Sequence, residues 1–185
     1  MPLLFRHAHP LHPFLWESPA QPPARWHAAG EGPVTYLADT PDGAWAEFLR
    51  HEGITDPEDL AGVARALWAV EVEELPEAVP DLPDAALRGG VDSYDACRAE
   101  AARLRAEGAD GLVAPSAALE ADAAGGCVVD GGLRPAPPRT PHTVVLFGRR
   151  PDLVGWRACA RGRPHPDLLA AVRHLDAEGQ AGAAG

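Results

Sequence analysis

The chain has no lysine. All 16 of its basic residues are arginine, and Ala, Gly and Pro are abundant, a pattern of GC-rich coding in which an isolated Arg says little about phosphate binding. Without Lys no G-x-x-x-x-G-K-[ST] motif exists, which removes the usual P-loop route to nucleotide phosphates. Cysteine is also scarce: Cys97, Cys127 and Cys159 are odd in number and widely spaced, with no C-x-x-C. Neither a disulfide framework nor a zinc cluster is therefore suggested, and a reducing interior fits. Long apolar runs are missing too. Met1 to Phe5 meets Arg6 and three histidines at once, leaving no stretch for a signal peptide or membrane span. The expectation is a cytoplasmic protein with no membrane association. Positive charge is in deficit, with a net charge of -11. Direct nucleic-acid binding, which draws its affinity from neutralising phosphates, is thereby argued against.

What is present suits one α/β domain of α+β character. Apolar residues make up 46% of the 185-residue chain, enough to bury a core that offsets conformational entropy. Residues 1–175 are expected to form the single domain and 176–185 a flexible C-terminal tail. Charge is uneven along it: 8 Arg stand in residues 131–185 beside few carboxylates, so that third of the chain is a candidate positive wall for an anion.

Leu3 to Arg6 reads as a first strand, followed by an extended segment broken by Pro10, Pro13, Pro19, Pro22 and Pro23. Val34 to Ala38 is β-branched and aromatic and bounded by turn residues, so a strand is predicted there. Thr40 is placed to cap a helix that begins at Pro41 and ends at Gly53. Its apolar arc is Trp45, Phe48 and Leu49, with Glu47 and His51 at the border of core and solvent. A short helix is predicted over Asp56 to Ala64 and a strand over Ala66 to Val72. Ser93 is read as the cap of a helix over Tyr94 to Glu107. Gly111 to Ala114 reads as a buried strand that delivers Ser116 to its end. Further strands are expected at Cys127 to Asp130, Thr143 to Phe147 and Gly155 to Cys159, with a last helix over Pro166 to Leu175. Gly131 to Pro141 reads as a long loop placed to cover the site.

Three groups of residues suggest chemistry. His7, His9 and His12 are closely spaced, but no acidic ligand lies among them and prolines follow two of them, so packed or solvated histidines are favoured and no metal is expected. Ser116 lies in Ala-Pro-Ser-Ala rather than G-x-S-x-G, so a hydrolase nucleophile elbow is not encoded. The third group is the ordered set Arg25-Trp26, Tyr36, Ala44-x-x-Glu47-x-x-x-His51 and Gly111-Leu-Val-x-Pro-Ser116. Each member alone has an ordinary explanation as an ion pair, a core residue, a solvated helix edge or a cap. Their order and context carry the case.

This set resembles the RES domain, a bacterial family named for its Arg, Glu and Ser, several of whose members are toxins that consume NAD⁺. The resemblance runs from about Leu3 to about Arg163. It implies a fold related to ADP-ribosyltransferases, with a mixed, split β core and flanking helices around an NAD⁺ cleft. It further implies cleavage of the nicotinamide-ribose bond of NAD⁺ as substrate, with inorganic phosphate or water as acceptor. Glu47, Arg25, Tyr36 and Ser116 are then the catalytic candidates, and Arg25, Trp26, Tyr36, His51 and Ser116 hold the dinucleotide. Glu47 would face the ribose, Arg25 the phosphates and Tyr36 the nicotinamide. Where the family often has Asn, this chain carries His27 after the Arg-Trp pair and Ala121 to Gly126 after the Ser. The partners implied are a helix-turn-helix antitoxin of Xre type and a second copy of the chain. Two other readings stand beside it: an ADP-ribosyltransferase acting on a protein, and a non-catalytic RES domain that binds a nucleotide or antitoxin.

Overall fold

The computed structural model describes residues 1–175; the expected tail at 176–185 lies outside the described residues. Eight strands form: β1 (Leu3–Ala8), β2 (Val34–Ala38), β3 (Arg65–Glu71), β4 (Gly111–Pro115), β5 (Cys127–Val129), β6 (Leu133–Pro135), β7 (His142–Phe147) and β8 (Val154–Gly162). Three α-helices accompany them: α1 (Pro41–Glu52), α2 (Asp84–Leu87) and α3 (Tyr94–Ala106). Six strands make one sheet in the order β4-β7-β2-β1-β3-β8, with every ladder antiparallel. None of the helices described is long and apolar enough to cross a membrane.

The sheet is split at its centre. β2 pairs with β7, and β1 with β3, along their lengths, yet β1 and β2 share only the pair Phe5 and Ala38. The two halves are thus joined at one point and diverge beyond it, which is the split β core that the family resemblance implied. Helices flank one face. There Cys97, Ala101 and Leu104 of α3 pack with Trp26, Val34 and Val145, while Trp45, Phe48 and Leu49 of α1 pack with Leu60 and Leu119. Strand alternation sends Leu4, Leu37, Val70 and Val144 to the opposite face, where Phe14 and Leu15 of the Pro-rich segment cover them. A Cβ at Gly155 would stand 2.5 Å from the Phe14 ring, so glycine is what lets that segment lie on the sheet.

Several expectations hold to within a residue or two. β2 has the bounds read from its composition, and α1 begins as expected, with Thr40 Oγ1 accepting from Gly43 N–H at 3.0 Å and Gly53 closing it at φ 63°. Other elements differ, each for a backbone reason. Asp56 caps a 3₁₀ turn over Pro57–Gly62 rather than an α-helix. Ser93 does not cap α3: its backbone is already helical at φ -84° and its hydroxyl donates to Gly90 O. The last helix is reduced to a 3₁₀ turn over Pro166–Ala171. Beyond it the chain extends, because Glu120 N–H donates to Ala171 O and Arg173 N–H to Ala118 O, pairings that a continued helix would forfeit. The segment Gly131 to Pro141 contains β6, which pairs with β5 in an exposed hairpin and does not cover the cavity described below.

Because α1 carries Glu47, its cap sets the register of the site. Thr40→Ala removes the acceptor for Gly43 N–H and is expected to cost about 1 kcal/mol of stability, measured as a lowered urea midpoint with an unchanged m-value.

Candidate active site

Where β1 and β2 part, the fold encloses a cavity of about 780 Å³, within the range that accommodates a sizeable organic ligand. It takes four consecutive residues of β1, Phe5 to Ala8, and three of β2, Tyr36 to Ala38. Successive side chains of a strand point to opposite faces, so a cavity lined by all of them passes through the split and does not lie on one face.

α1 supplies the cavity's carboxylate. Ala44, Glu47 and His51 recur at helical spacing and all line the cavity, as their border position predicts. Glu47 Oε2 stands 3.6 Å from His51 Nε2, and Glu47 is the one acidic residue in the lining.

Around it stand four arginines, Arg6, Arg25, Arg50 and Arg65. Among the described residues none of the four has a carboxylate within ion-pair distance, whereas Arg88, Arg98, Arg103, Arg105, Arg134, Arg139, Arg149, Arg150 and Arg173 all do. Two of the cavity arginines are held instead by neutral groups. Arg25 donates to Gly89 O at 2.6 Å, to Ser93 Oγ at 2.9 Å and to Ala86 O at 3.1 Å, and its guanidinium lies over the Tyr94 ring. Arg50 donates to Gly89 O at 2.8 Å, to Arg173 O at 2.7 Å and to Ala117 O. Burial pushes the Arg50 guanidinium down from its ordinary value, and Glu47 pulls it back. Carbonyls orient these cations without cancelling their charge, so the cavity stays electropositive.

Tyr36 is a fixed wall. Its hydroxyl accepts from Trp26 N–H at 3.0 Å and lies 2.9 Å from His27 Nδ1. Burial raises the phenol above its ordinary range and lowers the His27 imidazole. A protonated phenol facing a neutral imidazole donates to Nδ1.

Arg25, Trp26, Tyr36, Glu47 and His51 therefore share one cavity, and Ser116 does not reach it. Its flanks Pro115 and Ala117 line the wall, but Ser116 itself is 1% exposed. Its Oγ accepts from Ala118 N–H at 3.2 Å and Leu119 N–H at 3.1 Å, the capping arrangement that was its ordinary explanation. The positive wall also differs from expectation: its arginines come from the first 65 residues, and no Arg from 131 onward lines it.

Sequence reasoning missed Arg6, His7, Arg50, Arg65 and Tyr94 as lining residues. A signal existed for Arg50, which follows Glu47 by three positions and so lies on a neighbouring edge of α1. His7, dismissed with its neighbours as packed or solvated, is indeed packed edge-on against Phe48, and it lines the cavity as well.

A split antiparallel sheet whose central gap is lined by one carboxylate and by four arginines without acidic partners among the described residues defines an α+β protein with an electropositive cleft beside a carboxylate. The RES domain profile matches residues 3–158, and the chain belongs to the RES domain family. It is 36% identical over 109 residues to a protein of Mycobacterium tuberculosis (strain ATCC 25618 / H37Rv) named probable NAD(+) phosphorylase. That match takes in 55% of this chain and about half, 51%, of the relative's length. Its fold is similar to that of a chain in the crystal structure of the M. tuberculosis MbcT-MbcA toxin-antitoxin complex, with a TM-score of 0.60 at 16% identity. The superposition covers 97% of this chain and 88% of that one.

Ser116→Ala deletes two buried acceptor contacts without touching the cavity lining. It is expected to lower unfolding free energy by about 1 kcal/mol, read as a fall in Tm.

Proposed function

We propose that this protein cleaves NAD⁺ at the nicotinamide-ribose bond and transfers ADP-ribose to inorganic phosphate. The observation that carries the reading is Glu47, a lone carboxylate in a cavity walled by four arginines that, among the described residues, lack acidic partners. A dinucleotide brings a pyrophosphate that the arginines suit and a ribose that the carboxylate suits. The relative named NAD(+) phosphorylase supports the same reaction class.

Breaking the bond between ribose C1 and the pyridine nitrogen builds oxocarbenium character on the sugar, as in glycoside hydrolysis. A carboxylate beside the sugar stabilises that charge, and a desolvated site strengthens its effect. The bonding pair passes to the pyridine nitrogen, so nicotinamide leaves neutral and needs no general acid. A phosphate oxygen then forms the new bond to C1. Arg25 and Arg50, oriented by Gly89 O, lend their charge to the pyrophosphate, and Arg25 has Nε free of the contacts that hold its other nitrogens. Tyr36 offers a rigid aromatic wall for nicotinamide, its hydroxyl held by the Trp26 backbone N–H and its ring packed against the buried Trp26 cluster. His51 lies within 3.6 Å of the Glu47 carboxylate, close enough to bear on its charge. Ser116 acts through the strand end that it caps rather than through the ligand.

An NAD⁺-consuming enzyme of this kind depletes a metabolite of the cytoplasm, where we place it, and requires restraint. The toxin-antitoxin complex among the structural neighbours supports a protein antitoxin as partner. We assign it the helix-turn-helix, Xre-type class and take the toxin itself to pair with a second copy.

Glu47→Gln is nearly isosteric and leaves α1 intact. It is expected to reduce nicotinamide release by about 10²-fold or more with an unchanged circular dichroism spectrum and Tm. Mass analysis of the wild-type product in phosphate buffer is expected to show ADP-ribose-1″-phosphate. Wild-type turnover by the Glu47→Gln protein would defeat the mechanism. Labelled ADP-ribose found on protein instead would make it a protein ADP-ribosyltransferase.

A further inference from the structure

Arg25 and Trp26 stand at the tip of a tight turn. An isolated bridge joins Ala24 to His27, with Ala24 N–H donating to His27 O at 3.1 Å, and the two cavity-lining residues lie between them. Side chains of α3 hold this turn from one side: Arg98 Nε donates to Ala24 O and Arg105 Nη2 to Trp26 O, each at 2.9 Å. Toward β2 the fastening is different. Among the described residues, the hydrogen bonds between residues 24–28 and β2 are two, and both end on the Tyr36 hydroxyl.

That hydroxyl has one hydrogen to give. Trp26 N–H at 3.0 Å occupies an oxygen lone pair, so the phenol hydrogen needs an acceptor of its own. His27 Nδ1, at 2.9 Å, is the acceptor within reach among the described residues. His27 is 2% exposed and takes no part in the cavity lining. Burial lowers its imidazole below the ordinary value; the Pro22 carbonyl and Glu31 oppose this, and Arg105 and Arg98 add to it. A neutral ring keeps one nitrogen as an acceptor, which a protonated ring lacks.

We propose that His27 is a positioning residue for this site: by accepting from the Tyr36 hydroxyl it pins the aromatic wall of the cavity to the turn that carries Arg25. The inference rests on the NAD⁺-cleaving reading given above and adds to it a residue that never meets the substrate. A hydrogen bond at the far end of the phenol restrains the swing of the ring about its Cα–Cβ bond with the longest lever. Because its acceptor is two residues from Arg25, the same bond fixes how far the guanidinium stands from the wall. It thereby sets the spacing between the groups proposed to meet pyrophosphate and nicotinamide. With the acceptor gone, the phenol hydrogen loses its partner in a buried setting, and the ring leaves its place to find another.

The test uses side chains that each mimic one imidazole nitrogen. Asn places its amide oxygen where Nδ1 stands, whereas Gln reaches to the position of Nε2 and leaves the Tyr36 hydroxyl unmatched. His27→Asn is expected to keep kcat/KM for NAD⁺ cleavage within about threefold of wild type and His27→Gln to lower it about tenfold or more, both with native circular dichroism. Tyr36→Phe removes the hydroxyl, and adding His27→Gln to it is expected to lower kcat/KM by no more than about twofold further. Nitrogen NMR of the wild type is expected to show His27 Nδ1 unprotonated at neutral pH, with its shift changed by Tyr36→Phe. Equal losses in His27→Asn and His27→Gln, losses that multiply in the double variant, or a proton on Nδ1 would each overturn the proposal. If the wild type releases no nicotinamide while Nδ1 is unprotonated and responds to Tyr36→Phe, the NAD⁺ reading fails and the positioning contact stands.

Discussion

One backbone carbonyl ties the site together. Gly89 O accepts from Arg25 Nη2 and from Arg50 Nη2, two like charges brought onto one neutral acceptor. Arg25 comes from the N-terminal segment and Arg50 from α1, and Gly89 lies between α2 and α3. Arg50 reaches on to Ala117 O beyond β4 and to Arg173 O near the end of the described chain. Five stretches of chain thus converge on two guanidinium groups. Gly89 has no substitute here, since a Cβ would stand 2.6 Å from Ala85 O. Arginine alone has the donors in a planar fork to make such a joint. Bringing two cations together costs electrostatic energy that carbonyl dipoles offset only in part, and an anion in the cavity completes the balance.

How much of this the sequence disclosed depended on what each signal measures. β2 and α1 were legible because composition, period and caps agreed, and local and tertiary preferences coincide there. Glu47 was legible because helical period places it at the edge of an apolar arc. The last segment after His165 was not, because its apolar residues suit a helix while pairing with Ala118 and Glu120 decides its backbone. Arg50 reads as an ordinary C-terminal helix cation that complements the macrodipole, and nothing local shows that three distant carbonyls await it. Arg6 is a single charge on a short strand, and its missing partner is a property of the assembled sheet. Ser116 illustrates the reverse: a motif flagged it for the ligand, and the hydroxyl is spent on its own turn.

The charge distribution adds a constraint on how such a site must work. A chain of net charge -11 presents a field that repels any anion, the proposed dinucleotide included, but salt screens that repulsion beyond about 8 Å at physiological ionic strength. Inside the cavity screening is weak, and the unpaired arginines dominate over the single carboxylate. Attraction therefore begins at the mouth rather than at a distance. The protein gives up long-range steering and keeps selectivity within the cleft.

That arrangement sets stability against function. A buried, unpaired guanidinium is desolvated without Coulombic return, and burial pulls Arg6 down to about 10, still protonated at neutral pH. The three apolar clusters that surround the split must absorb this cost in the ligand-free state. An anion bound in the cavity would recover it, because it would meet donors already stripped of water. Relaxing the site by pairing each arginine with a carboxylate would stabilise the empty fold and remove the affinity. The parting of β1 from β2 beyond their single pair, Phe5 and Ala38, serves the same end: a continuous ladder there would satisfy more backbone and leave no cavity for the arginines to face.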